Sequence, residues 1–152
     1  MSLCCDVLKA LSGKTLATAE SCTGGGIGSA LTAVPGSSSI YKGGVISYCN
    51  EIKHRLLGVD EALLEACGAV SAPVAEAMAA GARTVLRTDI AVSVTGLAGP
   101  GGDEQGNPVG TVFIGYADHR GVLSREYHFY GDRDAVRAAA VEAALQLILN
   151  NI

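Results

Sequence analysis

The sequence lacks the features that mark three common classes of protein. Positive charge is not in excess, since 11 Lys and Arg residues stand against 15 Asp and Glu and the net charge is -4. This excludes the broad basic surface that nucleic-acid binding requires. No run approaches 18 consecutive apolar residues, which excludes a membrane-spanning helix. Charged residues make up only 17% of the chain and apolar residues 49%, which excludes an intrinsically disordered protein.

The cysteines do not indicate a metal site or a redox site. The five of them are unevenly spaced and form no C-x-x-C pattern, so neither a zinc site nor a redox motif is predicted. The first residues have no basic segment followed by an apolar one, as a secretion signal would. We therefore expect a reduced, cytoplasmic protein whose partners include neither nucleic acid nor membranes. A length of 152 residues without linker or repeat predicts one domain over residues 1–152.

Helical and strand patterns alternate along the chain. Apolar periodicity, caps and glycine or proline stops predict helices over 3–11, 23–34, 50–57, 60–66, 74–86 and 132–150. Strands are predicted over 14–19, 44–48, 89–94, 109–117 and 122–129. The short turn between the last two strands indicates an antiparallel hairpin. The fold class expected is α/β, a three-layer α/β/α sandwich with a mixed, mostly parallel five-stranded sheet.

Polar and glycine-rich segments follow three of these strands. They cover residues 20–26, 48–53 and 95–102. Ligands of open α/β sheets bind beyond the carboxyl ends of the parallel strands. We therefore expect the three segments to surround one pocket.

The glycine-rich segments do not match the established phosphate-binding motifs. Gly13-Lys14-Thr15 resembles the end of a P-loop, but Leu8 occupies the position of its first glycine. The G-x-G-x-x-G pattern that starts at Gly24 meets Ser29 at its last position. What remains is a general preference of free backbone N–H groups for an anion, whether a phosphate or a developing oxyanion.

Ser21 is a candidate nucleophile at the first strand-to-helix corner. It does not lie in a G-x-S-x-G elbow, because Ala19 and Thr23 occupy the glycine positions. A serine there can equally serve as a helix cap. Cys22 is the rival nucleophile, since a thiol at a helix start would have a lowered pKa. Its side chain is expected to turn into the packing between sheet and helix, which favours Ser21.

A nucleophilic serine needs a base, and either His54 or Lys53 could supply it. Lys53 would have to be neutral, which means lowering a pKa of about 10.4 by ~2 to 3 units through desolvation or nearby positive charge. Tyr48 could relay a proton or orient the amine. Considered alone, Lys53 also fits a solvated helix position and Tyr48 an aromatic residue at the rim of the core.

A series of segments, in order along nearly the whole chain, resembles the CinA C-terminal domain family. The segments are 18–25 (TAESCTGG), 35–38 (PGSS), 44–53 (GVISYCNEIK), 68–71 (GAVS), 95–100 (TGLAGP), 108–112 (PVGTV) and 131–133 (GDR). Members of that family include stand-alone amidohydrolases that convert nicotinamide mononucleotide to nicotinate mononucleotide and ammonia. Longer members carry an additional N-terminal domain of the nucleotide-pyrophosphatase type, to which no part of this sequence corresponds.

The resemblance implies a serine/lysine amidohydrolase. The family's catalytic Ser, Tyr and Lys fall on Ser21, Tyr48 and Lys53, with Lys53 as the base. It further implies that substrate contacts come from two glycine-rich turns, made by Thr23, Gly24, Gly25, Thr95 and Gly96. No metal or organic cofactor is needed for that chemistry, and a homodimer is expected from the family. Two alternatives stay open: a non-catalytic module that binds a nucleotide or a partner, and an amidase for another carboxamide.

Overall fold

A computed structural model describes residues 2–152. In this part of the chain the helices are α1 (Leu3–Ala10), α2 (Gly26–Thr32), α3 (Asn50–Leu57), α4 (Glu61–Cys67), α5 (Ala72–Leu86) and α6 (Arg133–Asn150). The strands are β1 (Leu16–Glu20), β2 (Tyr41–Ile46), β3 (Ile90–Gly96), β4 (Thr111–Asp118) and β5 (Gly121–His128). A 3-10 turn at Ser37–Ser39 precedes β2. Every predicted helix and strand is present.

The strands form one mixed sheet in the order β2-β1-β3-β4-β5. Strand β1 pairs in parallel with β2 and with β3. Strand β4 pairs antiparallel with β3 and with β5, so β4 alone runs against the direction of the other four strands. The predicted fold class is therefore confirmed, including the antiparallel hairpin of β4 and β5.

The two faces of the sheet pack against different helices, and this defines the three layers. On one face, Leu16, Val92 and Ile114 belong to the core cluster that includes residues of α1, α2 and α6. On the other face, Ala17 and Ala91 pack with residues of α3, α4 and α5. Because successive residues of a strand face opposite sides, this alternation places one helical layer on each face.

Several element boundaries differ from the sequence prediction by a few residues, and three of these differences matter for the site. Strand β2 ends at Ile46, so Ser47 and Tyr48 lie beyond it. Strand β3 continues through Gly96 because its pairing with β4 extends past its pairing with β1. Helix α2 begins only at Gly26, which leaves residues 21–25 as a tight turn between β1 and α2.

Within residues 2–152, no helix combines the length and apolar character needed to cross a bilayer.

The packing of α5 against the sheet generates a stability prediction at Gly115. A Cβ atom there would lie 2.3 Å from the Ala75 carbonyl oxygen and 2.5 Å from the Ser93 hydroxyl oxygen. We expect Gly115→Ala to lower the free energy of unfolding by about 1–3 kcal/mol through overpacking. Urea denaturation measures this. Gly101→Ala is the control, since nothing lies within 4 Å of a Cβ at Gly101; equal stability of the two variants would contradict the packing argument.

Candidate active site

Ser21 lies directly after β1, where the strand passes into the turn. Its backbone N–H donates to the carbonyl of Val94 at 3.1 Å, which continues the parallel pairing of β1 with β3 by one residue. The residue is buried and lines a pocket at the carboxyl ends of β1 and β3. This is the sheet edge at which the sequence predicted a site.

Lys53 comes to the same place from the first turn of α3. Its side chain is only 1% exposed. The ammonium nitrogen Nζ lies 3.1 Å from Ser21 Oγ and 2.9 Å from the carbonyl oxygen of Ser47. Among residues 2–152, no carboxylate lies within 4.0 Å of it.

The surroundings of Lys53 favour its neutral form. Burial lowers the pKa of the amine below its ordinary value of 10.5, and the nearby thiols of Cys49 and Cys22 oppose this to a smaller extent. Removing an amine from water penalises the ammonium, because the charged form loses more hydration than the neutral one. A neutral amine within hydrogen-bond distance of a serine hydroxyl can accept its proton.

His54, the other candidate base, faces away from Ser21. Its Nδ1 lies 2.8 Å from the carbonyl oxygen of Val59 and its Nε2 lies 3.2 Å from a carboxylate oxygen of Glu61. It is not among the residues that line the pocket. Of the two candidates, only Lys53 lies within reach of the serine.

Cys22 differs from the expectation for a thiol at a helix start. It is 6% exposed and belongs to the core cluster between sheet and helices. Burial raises the pKa of the thiol to about 11, whereas a reactive cysteine needs a lowered one. The structure therefore favours Ser21 as the nucleophile.

The pocket has a volume of about 270 Å³. Its walls come from the ends of β1 and β3, from the start of α3 and α6, and from two loops. The lining residues are Ser21, Cys22, Tyr48, Asn50, Lys53, Ala69, Val70, Thr95, Gly96, Leu97, Ala98, Gly99, Gly101 and Arg133. Five of the predicted site residues are thus brought together, namely Ser21, Tyr48, Lys53, Thr95 and Gly96, while Thr23, Gly24 and Gly25 lie outside the lining.

Tyr48 stands at the rim of the pocket and is 63% exposed. Its hydroxyl oxygen accepts a hydrogen bond from the guanidinium of Arg133 at 3.0 Å, and it has no hydrogen bond to Lys53 or Ser21. Arg133 also donates to the carbonyl of Gly99. The hydroxyl of Thr95 donates to the carbonyl of Ala69 at 2.9 Å, so this group is already engaged in the fold.

Four residues around the site were not predicted from the sequence. The Ser47 carbonyl holds the amine of Lys53, and Arg133 adds a guanidinium to the pocket. Glu20 and Arg137 both bind the turn of residues 21–25. Glu20, Ser47 and Arg133 lie in segments that carry the family resemblance, whereas the sequence offered no signal for Arg137.

The turn itself presents free backbone donors. The N–H of Gly24 donates to the carbonyl of Ser21 at 3.0 Å, and the hydroxyl of Thr23 donates to a Glu20 carboxylate oxygen at 2.7 Å. The backbone N–H groups of Thr23 and Gly25 donate to no backbone carbonyl within residues 2–152. Unpaired donors beside a nucleophile are the groups that can stabilise an oxyanion.

Comparison with known proteins gives the family. The sequence model of the CinA C-terminal domain family matches residues 3–152. A CinA-like protein of Geobacter metallireducens is 52% identical over 133 residues, covering 88% of this chain and 32% of that protein. A CinA-like protein of Thermosynechococcus vestitus is 55% identical over 138 residues, covering 89% and 33% of the two. The chain therefore spans about a third of the length of these curated relatives.

Solved structures agree with the sequence relatives. A competence-damaged protein (CinA) superfamily protein from Escherichia coli has a TM-score of 0.96 at 36% identity, covering 99% of this chain and 88% of that one. The competence/damage inducible protein CihA from Agrobacterium tumefaciens has a TM-score of 0.92 at 40% identity, covering 97% and 92%. Both the sequence and the fold are shared over almost the whole of residues 3–152, and the chain belongs to the CinA C-terminal domain family.

Proposed function

We propose that the chain is an amidohydrolase that converts nicotinamide mononucleotide to nicotinate mononucleotide and ammonia by a serine/lysine mechanism. The observation that carries the proposal is the contact between Ser21 and Lys53. Lys53 is 1% exposed and lies 3.1 Å from the Ser21 hydroxyl oxygen. Because it has no carboxylate partner in the described part of the chain, it does not form a structural ion pair. It is well suited to accept a proton.

In the first step, neutral Lys53 takes the proton of the Ser21 hydroxyl as Ser21 Oγ attacks the carboxamide carbon. One N–H of the amine donates to the Ser47 carbonyl, which fixes the nitrogen while its lone pair accepts the proton. We assign the stabilisation of the negative charge that forms on the carboxamide oxygen to backbone N–H groups of the turn after Ser21, at Thr23 and Gly25, which donate to no backbone carbonyl of residues 2–152.

In the second step, the carbon–nitrogen bond breaks and the leaving nitrogen takes a proton from the Lys53 ammonium, so that ammonia departs. An ester of Ser21 remains. Water then attacks this ester while Lys53 again removes a proton, and the Ser21 oxygen recovers a proton as nicotinate mononucleotide leaves. Burial favours the neutral amine at the start of each half-reaction.

Arg133 is our candidate for the residue that binds the phosphate of the substrate. With Lys53 in its neutral form, Arg133 supplies the cationic group of the pocket lining, which contains no Asp or Glu. Its two recorded hydrogen bonds, to Tyr48 and to Gly99, leave further guanidinium donors free, since arginine carries five. In this arrangement Tyr48 orients Arg133. The glycine-rich end of β3, with Thr95 and Gly96, forms the wall beside it.

Ammonia release from nicotinamide mononucleotide tests the assignment of the catalytic pair. We expect Ser21→Ala to reduce the rate to background, and Lys53→Met to lower kcat/KM by about 10²–10⁴-fold, because it removes the base. Cys22→Ala is the matched control and retains activity, since its thiol is buried and protonated.

Loss of activity in Cys22→Ala with retention in Ser21→Ala would transfer the nucleophile to the cysteine. An inactive wild type would favour a binding module, and activity on another carboxamide alone would favour a different amidase.

The lowered pKa of Lys53 gives a pH dependence with a defined sign. The amine is active when neutral, and its neutral fraction rises with pH, so kcat/KM should increase with pH through the pKa of Lys53. Burial places that pKa below 10.5, and the ascending limb should lie below it too. Titration of the lysine amine by heteronuclear NMR in Ser21→Ala should give the same value. A titration at 10.5 or above would refute the neutral base.

The phosphate assignment of Arg133 is tested by comparing two substrates. We expect Arg133→Met to lower kcat/KM for nicotinamide mononucleotide roughly 10–100-fold, in keeping with the loss of a charge-assisted hydrogen bond. Activity on nicotinamide riboside, which lacks the phosphate, should change little. Tyr48→Phe is the companion variant. A modest loss would fit a residue that orients Arg133, whereas a loss of kcat as large as that of Lys53→Met would make Tyr48 a proton relay.

A further inference from the structure

The turn that carries Ser21 is held by two charged side chains that do not line the pocket. Glu20 precedes the turn at the end of β1, and Arg137 reaches it from α6. We propose that Glu20 and Arg137 are positioning residues for the reaction: together they fix the turn after Ser21 and the peptide unit between Cys22 and Thr23, whose N–H would stabilise the oxyanion. This inference rests on the proposed function and adds the device that sets the geometry of its site.

Glu20 ties the start and the middle of the turn to the helix that follows. Its side chain is 2% exposed. One carboxylate oxygen accepts from the Thr23 hydroxyl at 2.7 Å and from the Ile27 N–H at 2.8 Å, and the other accepts from the Gly28 N–H at 3.0 Å. Among residues 2–152, no Lys, Arg or His lies within ion-pair distance of it.

This use of Glu20 replaces the ordinary helix cap. The second and third N–H groups of a helix are usually capped by the side chain of the N-cap residue. Here the N-cap is Gly25, which has a left-handed conformation (φ 99°) and no side chain to offer. The capping carboxylate belongs to Glu20, the residue before Ser21. The turn is therefore joined to Glu20 at its start through the chain and at its end through the hydrogen bonds from α2. A buried carboxylate is costly to place without an ion pair, and these three hydrogen bonds offset that cost.

Arg137 binds the carbonyl oxygens of Cys22 and Thr23 in the same turn. Its Nε donates to the Cys22 carbonyl at 3.0 Å and its guanidinium nitrogen to the Thr23 carbonyl at 3.2 Å. In a trans peptide the carbonyl and the N–H point in opposite directions. Holding the Cys22 carbonyl therefore holds the Thr23 N–H of the same peptide unit pointing away from α6. That N–H donates to no backbone carbonyl within residues 2–152, so it is available to an oxyanion.

The two side chains thus act on one rigid segment from different elements. Glu20 fixes where the turn begins and where α2 starts, and Arg137 fixes the rotation of the peptide between Cys22 and Thr23. Neither touches the pocket, so neither should contribute to binding of the ground-state substrate. Loss of either should reduce stabilisation of the charge that develops only during reaction, which lowers kcat and leaves KM almost unchanged.

The test uses Glu20→Gln, Arg137→Met and the matched control Arg83→Met. Arg83 lies in the last turn of α5, away from the site, and donates to the carbonyl of Asp89 at 3.0 Å, so its variant loses a comparable guanidinium–carbonyl bond. For Glu20→Gln and Arg137→Met we expect kcat to fall about 10–100-fold with KM changed less than about threefold, as small displacements of reacting groups produce. Arg83→Met should retain the kcat of the wild type. Thermal unfolding of each variant separates folding losses from kinetic ones.

A second measurement is independent of the substrate. The rate at which a fluorophosphonate probe labels Ser21, followed by intact mass, depends on the same oxyanion donors and should fall in parallel with kcat. If the wild type is labelled but releases no ammonia from nicotinamide mononucleotide, the proposed substrate is wrong and the labelling rates still test the positioning role. Unchanged kcat and labelling in folded Arg137→Met would overturn the inference. So would a wild type that is neither active nor labelled. If Glu20→Gln does not fold, Arg137→Met decides the outcome.

Discussion

The arrangement of the site depends on one unfavourable burial, that of the Lys53 amine without a carboxylate partner. A buried ammonium would need an opposite charge, and within 4.0 Å residues 2–152 supply none. The structure instead supplies a carbonyl from Ser47 and a hydroxyl from Ser21, two groups that a neutral amine can satisfy with an N–H and its lone pair. The absence of an ion pair therefore favours the neutral amine over a structural cation, which is the form that the proposed role as a base requires.

The two basic residues of the pocket, Lys53 and Arg133, consequently differ in what they can do. Lys53 is buried and has a lowered pKa, whereas Arg133 lies at the exposed rim and is held by the Tyr48 hydroxyl and the Gly99 carbonyl. A guanidinium cannot give up its proton under ordinary conditions. It is thus suited to bind an anionic part of a substrate, and the lysine is suited to move protons at the reacting carbon. Division of these tasks between a neutral and a charged residue fits a small phosphorylated carboxamide.

The sheet explains why these groups converge. Strands β1, β2 and β3 are parallel, so the segments that follow them emerge at one edge, and each adds one part of the pocket. The small side chains of Ala17 and Ala91 share a core cluster with Val74, Met78 and Ala82 of α5, and Gly115 leaves no room for a Cβ beside the Ala75 carbonyl. On the opposite face, Arg137 of α6 reaches back to the turn after β1. Both helical layers therefore help to fix a site that lies between them.

The sequence by itself determined the helices and strands, the three layers, the mixed sheet and the candidate residues Ser21, Lys53 and Tyr48, because local periodicity, turn residues and the order of motifs are recorded along the chain. Without the family resemblance, which implies Lys53, the residues alone could not decide between Lys53 and His54, since neighbours on one helix differ only in the direction they face once α3 has packed. The sequence predicted that the Cys22 side chain turns into the packing between sheet and helix, and the structure places it in the core; the lowered pKa typical of a thiol at a helix start does not apply there, because burial raises the pKa of Cys22 to about 11. Contacts between distant residues, such as those of Arg137 with the turn and of Arg133 with Tyr48, leave no local pattern. Tertiary structure alone decided them, because desolvation and hydrogen bonding depend on what the folded chain brings around each group.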